Sequence, residues 1–260
     1  LGTSVGAWLG DRFGLKRTLV WAMVVFGLTT VLTSFSSGLV SMIVLRFVSG
    51  IGFGAAGPTG VALVVDWVPA QIKTKAVMLL SISAPLGGAL GAVGVRSMLP
   101  EYGWSGCFVA SGVLTLAVAL LLAIILPESA NYLVRTGKGV RAQALLLRYL
   151  NRRLDLQQLQ PSERRQVRAK GKALAIPAGY GRLAAGTGIA HFCLQFVAFA
   201  FAAWAPVFLT VKNFTLSQAL EASFAYNLFA VIGALASSFL LDRIGSRKLL
   251  IGANMVMFGC

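Results

Sequence analysis

Six long stretches of this chain contain no charged residue, and they limit its possible folds more than any other feature. They cover residues 18–45, 47–65, 76–95, 102–127, 183–211 and 222–241. A helix needs about 20 predominantly apolar residues to cross the ~30 Å hydrocarbon core of a bilayer. The stretches are continuous rather than alternating, and longer than the ~10-residue strands of a membrane barrel. They predict an all-α polytopic membrane protein with six complete spans, at 18–36, 39–65, 76–96, 105–126, 184–210 and 220–241.

The composition excludes most classes of soluble protein. Of the 260 residues, 57% are hydrophobic and 12% are charged, whereas soluble domains carry about 25% charged residues. A single apolar run could be the core helix of a large soluble protein, but a chain of this size cannot hide six of them from water. Soluble enzymes and disordered binding modules are therefore excluded.

The polar residues within the spans do not have the composition of an enzyme site. Because the spans lack any constellation of His, Asp and Glu, we expect no enzymatic activity, no cofactor and no metal site. Cys107, Cys193 and Cys260 lie inside apolar runs, without the spacing of a disulfide framework or a zinc site. We expect them to be small packing residues.

The positive charges predict how the chain is oriented. The chain has 23 Lys and Arg against 8 Asp and Glu, and 20 of the 23 fall in 10–17, 67–75, 127–183 and 242–248, loops that share one side. Basic loops of membrane proteins remain on the cytoplasmic side. We therefore expect a plasma (inner) membrane protein with cytoplasmic basic loops and lipid as their partner, and no nucleic acid.

The runs also predict the domain organisation. Residues 1–126 form one helical part, 184–260 form another, and 127–183 form a basic segment between them. In this segment Val140, Ala144 and Leu147 recur at helical spacing, which favours an amphipathic helix against anionic lipid. A solvated basic linker is the alternative.

One short loop occurs twice in the sequence. Leu9-Gly10-Asp11-Arg12-Phe13-Gly14 returns, 231 residues later, as Leu240-Leu241-Asp242-Arg243-Ile244-Gly245, and a basic pair follows each copy. Such a loop joins two spans by a tight turn, for which glycine offers unusual dihedral angles. Its carboxylate can accept hydrogen bonds at a helix N-terminus while the basic residues anchor at headgroups.

This loop resembles the hallmark loop of the major facilitator superfamily, Gly-x-Leu-Ala-Asp-Arg-x-Gly-Arg-Arg. Ala7 and Ser238 replace its leading glycine, and Leu15 and Ser246 replace its first basic residue. The resemblance implies the major facilitator fold of two parallel six-helix halves. Short apolar ends at 1–9 and 249–260 then correspond to severed spans. We expect a partial fold, from the end of the second span to the start of the ninth. In this numbering the six complete spans are the third to the eighth.

The resemblance also implies a gating role for both loops, which would latch the cytoplasmic side in the outward-facing state. Asp66, at the end of the fourth span, is expected to pair with Arg12 or Arg17, with solvation at the interface as the alternative. The gating residues are Asp11, Arg12, Gly14, Lys16, Arg17, Asp66, Asp242, Arg243, Gly245, Arg247 and Lys248.

The fourth span contains one arginine, Arg46. An arginine at the bilayer centre costs about 2.5–3.5 kcal/mol and should face a cavity or a partner. Arg46 matches the family's Arg-x-x-x-Gly-x-Gly signature, which implies a place in the substrate and proton pathway; the alternative is that it snorkels to the outer surface.

We expect a local break at Gly57-Pro58-Thr59. The expected span-packing residues are Gly50, Gly52, Gly54, Pro58 and Pro85.

Two later spans offer further polar residues for the same pathway. His191 and Gln195 lie one helical turn apart in the seventh span, and an imidazole there could relay protons. Tyr226 and Asn227 in the eighth span could hydrogen-bond a ligand. For all four residues, ordinary packing between helices is the alternative.

Within the superfamily the chain resembles the aromatic acid:proton symporters. The resemblance rests on Gly50–Pro58, Ala84–Gly91, Pro127-Glu128-Ser129 and Trp204-Ala205-Pro206. It implies that a monomer takes up a small organic anion, an aromatic carboxylate, together with a proton by alternating access. The alternatives are a transporter of sugars or other metabolites, an efflux antiporter, and a membrane sensor that does not transport.

Overall fold

The computed structural model describes residues 1–69, 72–150, 181–244 and 252. Within these residues the chain is helical and contains no strand, which confirms the all-α prediction. The helices are α1 (Gly2–Phe13), α2 (Leu15–Thr33), α3 (Leu39–Trp67), α4 (Lys73–Ile125), α5 (Ala130–Arg135), α6 (Gly139–Leu150), α7 (Gly181–Val211) and α8 (Leu216–Ile244).

Four of the described helices are long and apolar enough to cross a membrane, namely α2, α3, α4 and the 216–237 part of α8. Helix α4 has 53 residues and contains the predicted spans 76–96 and 105–126, which are the fifth and sixth in the family's numbering. The two spans meet at Gly103 (φ 64°, ψ −175°). The predicted loop at 10–17 is shorter than expected, because helices α1 and α2 extend into it from both sides.

Small residues dominate the interior of the helix bundle, with Leu19 and Leu63 among the larger buried side chains. Thr29, Thr30, Thr33 and Ser49 are buried, while large apolar side chains such as Trp21 point outward. Each buried threonine hydroxyl of α2 donates to a carbonyl one turn earlier, as in the 2.7 Å bond from Thr33 Oγ1 to the Thr29 oxygen. Lipid offers no hydrogen-bond partners, so the polar groups of a membrane protein must be satisfied inside the protein, beneath an apolar exterior.

Helices α1 and α3 approach each other at Gly2 and Gly6, the first two members of a row of glycines on α1. Gly2, Gly6 and Gly10 repeat every fourth residue of α1 and are all buried. A Cβ atom added at Gly6 would lie 2.8 Å from the Cα of Ala55 on α3. Small residues at this spacing allow backbones in a membrane to pack in close contact.

The glycines of α3 have different surroundings. Gly54 faces Gly2 of α1, and a Cβ at Gly52 would lie 2.8 Å from the Ala22 oxygen of α2. Gly50, which the sequence analysis grouped with them, has no described neighbour within 4 Å of such a Cβ. Gly52 and Gly54 therefore face the neighbouring helices directly, whereas Gly50 contributes its carbonyl oxygen, 3.2 Å from a Cβ added at Gly2.

Helix α3 continues through Pro58, so the local break expected there does not occur. A proline inside a helix removes the hydrogen bond to the carbonyl four residues earlier, which here belongs to Gly54. That carbonyl instead accepts a 3.3 Å bond from the Thr3 hydroxyl of α1. A side chain of the neighbouring helix thus satisfies the group that proline leaves open.

The chain divides into two compact units, Leu1–Tyr132 with Leu220–Cys260, and Leu133–Ala219. In the second unit α6 forms where the helical spacing predicted it. Its Ala142 is buried, whereas Val140, Ala144 and Leu147 are exposed on the predicted apolar face. Whether that face lies on lipid stays a prediction.

A bulky side chain in the glycine row should separate α1 from α3. We expect Gly6→Leu to lower the stability of the purified protein by about 1–3 kcal/mol, the usual cost of overpacking. Gly50→Leu is the matched control, because the same side chain there meets open space. Thermal unfolding in detergent measures both variants, and equal melting temperatures would refute the close contact.

Candidate functional site

The first repeated loop reduces to a single residue between two helices. Helix α1 ends at Phe13 and α2 begins at Leu15, so Gly14 alone makes the turn, with φ 100° and ψ 151°. Its N–H donates to the Gly10 oxygen at 3.0 Å. The positive φ favours glycine because an L side chain rarely adopts it, as the sequence pattern indicated.

A carboxylate far along the chain lies at the N-terminus of α2. Glu128 Oε1 accepts the backbone N–H of Lys16 at 2.9 Å, and the same carboxylate lies next to Gly14. A negative charge is favourable there because the first amides of a helix lack internal partners and carry partial positive charge. The loop pattern indicated its own aspartate for this role, but Glu128 lies at this helix N-terminus.

A second carboxylate at this end of the bundle belongs to Asp66. It accepts hydrogen bonds from Ser129 Oγ and, at 2.8 Å, from Asn131 Nδ2. In the described part of the chain, neither Arg12 nor Arg17 forms an ion pair with it. Two neutral donors therefore occupy the position that the family resemblance assigned to an arginine.

Ser129 and Tyr132 connect these groups to the turn. The buried Ser129 hydroxyl accepts the Tyr132 N–H at 3.1 Å and so caps the N-terminus of α5. The Tyr132 hydroxyl donates to the Arg12 carbonyl oxygen at 3.2 Å. We call Gly14, Asp66, Glu128, Ser129, Asn131 and Tyr132 the basic-end cluster.

The cluster brings three of the predicted basic segments to one end of the bundle. It joins the α1–α2 turn, the end of α3 and the start of the 127–183 segment. Every second loop of a membrane-spanning chain lies on the same side of the membrane, so these segments are expected at one end of the bundle. All members of the cluster lie between residues 1 and 132, so it connects the first helical part to the start of the 127–183 segment.

Arg12 and Arg17 form no ion pair with the cluster carboxylates among the described residues. The Arg12 guanidinium lies 5.4 Å from the ring centroids of both Trp8 and Phe13. Arg17 is exposed. Both cations are therefore available to contact groups outside the bundle.

The second copy of the loop lies mostly outside the described residues. The backbone of Asp242 and Arg243 belongs to the last turn of α8. The side chains of these two residues, and Gly245, Arg247 and Lys248 entirely, are not described. A latch formed by this copy stays a prediction.

Arg46 lies in the second turn of α3 and has an aromatic partner. Its guanidinium carbon lies 4.3 Å from the ring centroid of Phe108, in the part of α4 that corresponds to the sixth span. Trp104 packs edge-on against the same ring, at 6.0 Å between centroids. Arg46 is exposed on its other side. This position is compatible both with a pathway role and with snorkelling.

The polar candidates of the seventh and eighth spans lie on separate helices. His191 belongs to α7, but its side chain lies outside the described residues; Gln195, one turn later, is exposed. Tyr226 on α8 is also exposed. Asn227 donates a 2.8 Å bond to the Ser223 oxygen on its own helix and contacts Gly88 of α4.

Helices α4 and α8 contact each other at two levels. The carboxamide of Asn227 fills the space beside Gly88, one turn after Pro85. Further along the same helices, Arg96 and Glu221 form a 2.9 Å ion pair, with 52% and 54% of their side chains exposed. These contacts join a helix of the first helical part to one of the last.

Several of these residues were not among those predicted from the sequence. The Gly2, Gly6 and Gly10 row is a repeated small-xxx-small pattern, so its spacing alone could have identified it. Ser129 before a short helix has the character of an N-cap. Nothing in the sequence indicates the Arg96–Glu221 pair. The described residues contain no group of three or more His, Cys, Asp and Glu side chains placed to hold a metal.

Apolar spans with internally satisfied polar groups and a single-glycine turn define a polytopic membrane protein. The family profile described as the Major Facilitator Superfamily matches residues 1–260. The chain therefore belongs to this superfamily, as the repeated loop indicated.

Relatives of known function extend beyond this chain. The 4-hydroxybenzoate transporter PcaK of Pseudomonas aeruginosa is 28% identical over 93% of this chain and 55% of its own length. The 3-(3-hydroxy-phenyl)propionate transporter of Escherichia coli K12 is 29% identical over 98% of this chain and 56% of its own length. The chain thus spans about half the length of these curated relatives.

A solved structure confirms the fold. The partially occluded inward-open form of the xylose transporter XylE from E. coli superposes with a TM-score of 0.71 at 20% identity. The match covers 94% of this chain and 57% of the other. The predicted fold class, a partial major facilitator fold, is confirmed.

Removing the carboxylate at the start of α2 should weaken the turn. We expect Glu128→Ala to destabilise the protein by about 0.5–2 kcal/mol, as the loss of a helix cap does. Glu101→Ala is the control, since Glu101 is an exposed acid in the same helical part. A melting temperature that falls equally in both variants would show that Glu128 does not act as a cap.

Proposed function

We propose that the protein takes up a small aromatic carboxylate together with a proton, by alternating access, with its basic end in the cytoplasm. The observation that carries this proposal is the substrate class of its relatives. The two transporters compared above are named for 4-hydroxybenzoate and 3-(3-hydroxy-phenyl)propionate, each an aromatic ring with a carboxylate. Both align with more than nine-tenths of this chain.

Arg46 is the residue that we assign to the carboxylate. A cation within a span attracts an anion strongly because the surroundings are poorly polarisable. Its guanidinium lies against Phe108 on one side and is exposed on the other. A ligand there would meet a positive charge and an aromatic face together, which are the two features that an aromatic carboxylate can use.

The proton is assigned to the seventh span. His191 is the one histidine of the sequence, and an imidazole changes charge near neutral pH. Gln195, one helical turn later, can orient it by hydrogen bonding. In this proposal His191 takes up the proton that enters with the substrate and releases it to the cytoplasm.

Alternating access requires one rigid half to move against the other. The basic-end cluster supports this because it fastens α1, α2, α3 and α5 to one another without using a residue of the later spans. The α4–α8 contact supplies a joint between the two helical parts. An exposed ion pair such as Arg96–Glu221 contributes only about 0–1 kcal/mol, so it can form and break within each cycle.

Uptake of labelled 4-hydroxybenzoate into proteoliposomes tests the proposed function. An inward proton gradient should drive accumulation, and a protonophore should abolish it. Counterflow without net accumulation would indicate a uniporter, and binding without counterflow would favour the sensor. Outward movement driven by the same gradient would indicate an antiporter.

Loss of the Arg46 charge should impair uptake. We expect Arg46→Ala to lower the rate at subsaturating substrate by about 10- to 100-fold, the effect of losing a charge-assisted hydrogen bond. Arg46→Lys should retain part of the rate. Lys212→Ala is the control for a lost cation elsewhere. Unchanged accumulation in Arg46→Ala would leave snorkelling as the explanation for this residue.

The ion pair between α4 and α8 can be tested by exchanging its charges. Arg96→Glu or Glu221→Arg alone places like charges together and should change the turnover rate by about two- to fivefold, as expected for an exposed pair. The double variant should return toward the original rate. If the two single effects simply add in the double variant, the residues do not interact during transport.

A further inference from the structure

A groove lies between α1 and α2 beside the single-residue turn. It has a volume of about 320 Å³ and is lined by Leu9, Phe13, Arg17, Thr18 and Trp21. Both helices lead away from Gly14, so the lining residues form two levels by their distance from the turn. Phe13 and Arg17 form the level nearest the turn, and Leu9 and Trp21 lie about one helical turn, or ~6 Å, deeper.

The floor and walls of the groove are apolar. Thr18 is buried, and its hydroxyl donates to the Gly14 oxygen at 2.9 Å, so it offers no free donor to a ligand. Leu9, Phe13 and Trp21 contribute hydrocarbon and aromatic surface, and 68% of the Trp21 side chain is exposed. A surface of this kind at the deeper level suits an acyl chain.

The mouth of the groove is positively charged. Arg17 is exposed, and within the described ranges it forms no ion pair. The Arg12 guanidinium lies over the Phe13 ring, at the same level. The nearby carboxylates of Asp66 and Glu128 are occupied by hydroxyl, amide and backbone donors. Within the described residues neither of these two carboxylates forms an ion pair with Arg12 or Arg17.

The level of the groove matches the membrane interface. Helix α2 begins at Leu15 and is one of the helices able to span a membrane, so Arg17 lies in its first turn. Tryptophan and arginine concentrate where the hydrocarbon core meets the headgroups. The charged level thus meets phosphates, and the apolar level meets the first part of the acyl chains.

We propose that this groove binds one anionic glycerophospholipid. The phosphate accepts hydrogen bonds from Arg17 and Arg12, because guanidinium groups match phosphate oxygens in geometry and charge. One acyl chain lies over Phe13, Leu9 and Trp21. Phosphatidylcholine fits less well, because its quaternary ammonium would lie near two guanidinium groups.

Native mass spectrometry of the intact protein in detergent tests this site. The probes are phosphatidylglycerol and phosphatidylcholine with identical acyl chains, and glycerol 3-phosphate as a soluble phosphate. Phosphatidylglycerol should remain bound to a larger fraction of the protein than phosphatidylcholine. Arg17→Ala should lower this retention by about fivefold, the contribution expected of one basic residue at an anionic membrane surface.

Two further variants separate the headgroup from the chain. Leu9→Trp fills the deeper level without removing a charge and should also reduce retention. Lys75→Ala removes an exposed cation at the start of α4 that does not line the groove, and should leave retention unchanged. Arg17→Lys, which keeps the charge, should recover part of the binding.

A second measurement locates the lipid without relying on substitutions that affect folding. The fluorescence of Trp21 is obtained as the difference in emission between the unmodified protein and Trp21→Phe. Phosphatidylglycerol with brominated acyl chains should quench this fluorescence, and brominated phosphatidylcholine should quench it less. Equal quenching by the two lipids, equal retention in Arg17→Ala and Lys75→Ala, or binding of glycerol 3-phosphate as strong as that of the lipid would each overturn the proposal.

Discussion

Hydrocarbon offers no hydrogen bonds, and this constraint explains most of the packing in the bundle. Each polar group within a span must find its partner inside the protein. The threonines of α2 return their hydroxyls to their own helix. Where Pro58 leaves the Gly54 carbonyl without its helical donor, Thr3 of the next helix supplies one. Small residues occupy the interior because close backbone contact, rather than the expulsion of water, holds such helices together.

At the basic end the protein separates its charges by function. The carboxylates of Asp66 and Glu128 are used inside the protein, where neutral donors and a helix N-terminus satisfy them. The arginines of the turn are exposed, and Arg12 lies against the rings of Trp8 and Phe13. Neutral donors avoid the desolvation cost of a buried ion pair.

The sequence predicted the features that arise from local chemistry. Charge-free runs placed α2, α3, α4 and α8, because a membrane span is a property of about 20 consecutive residues. The glycine of the turn was predictable because its dihedral angles depend on one residue. The continuity of α3 through Pro58 was not predictable, since it depends on a donor from another helix. The contact between Glu128 and α2 joins residues 112 positions apart, and only the folded chain brings them together.

The break in α4 has a mechanical consequence for the protein. Gly103 joins the fifth and sixth predicted spans without any intervening loop, since helix resumes directly on both sides of it. Because no loop residues separate the two segments, neither can move along the bilayer normal independently of the other. Torsion about one glycine remains as the available freedom. The two segments can therefore change their mutual tilt but not their relative depth, and a pull applied at Arg96 is transmitted directly to the segment that carries Phe108.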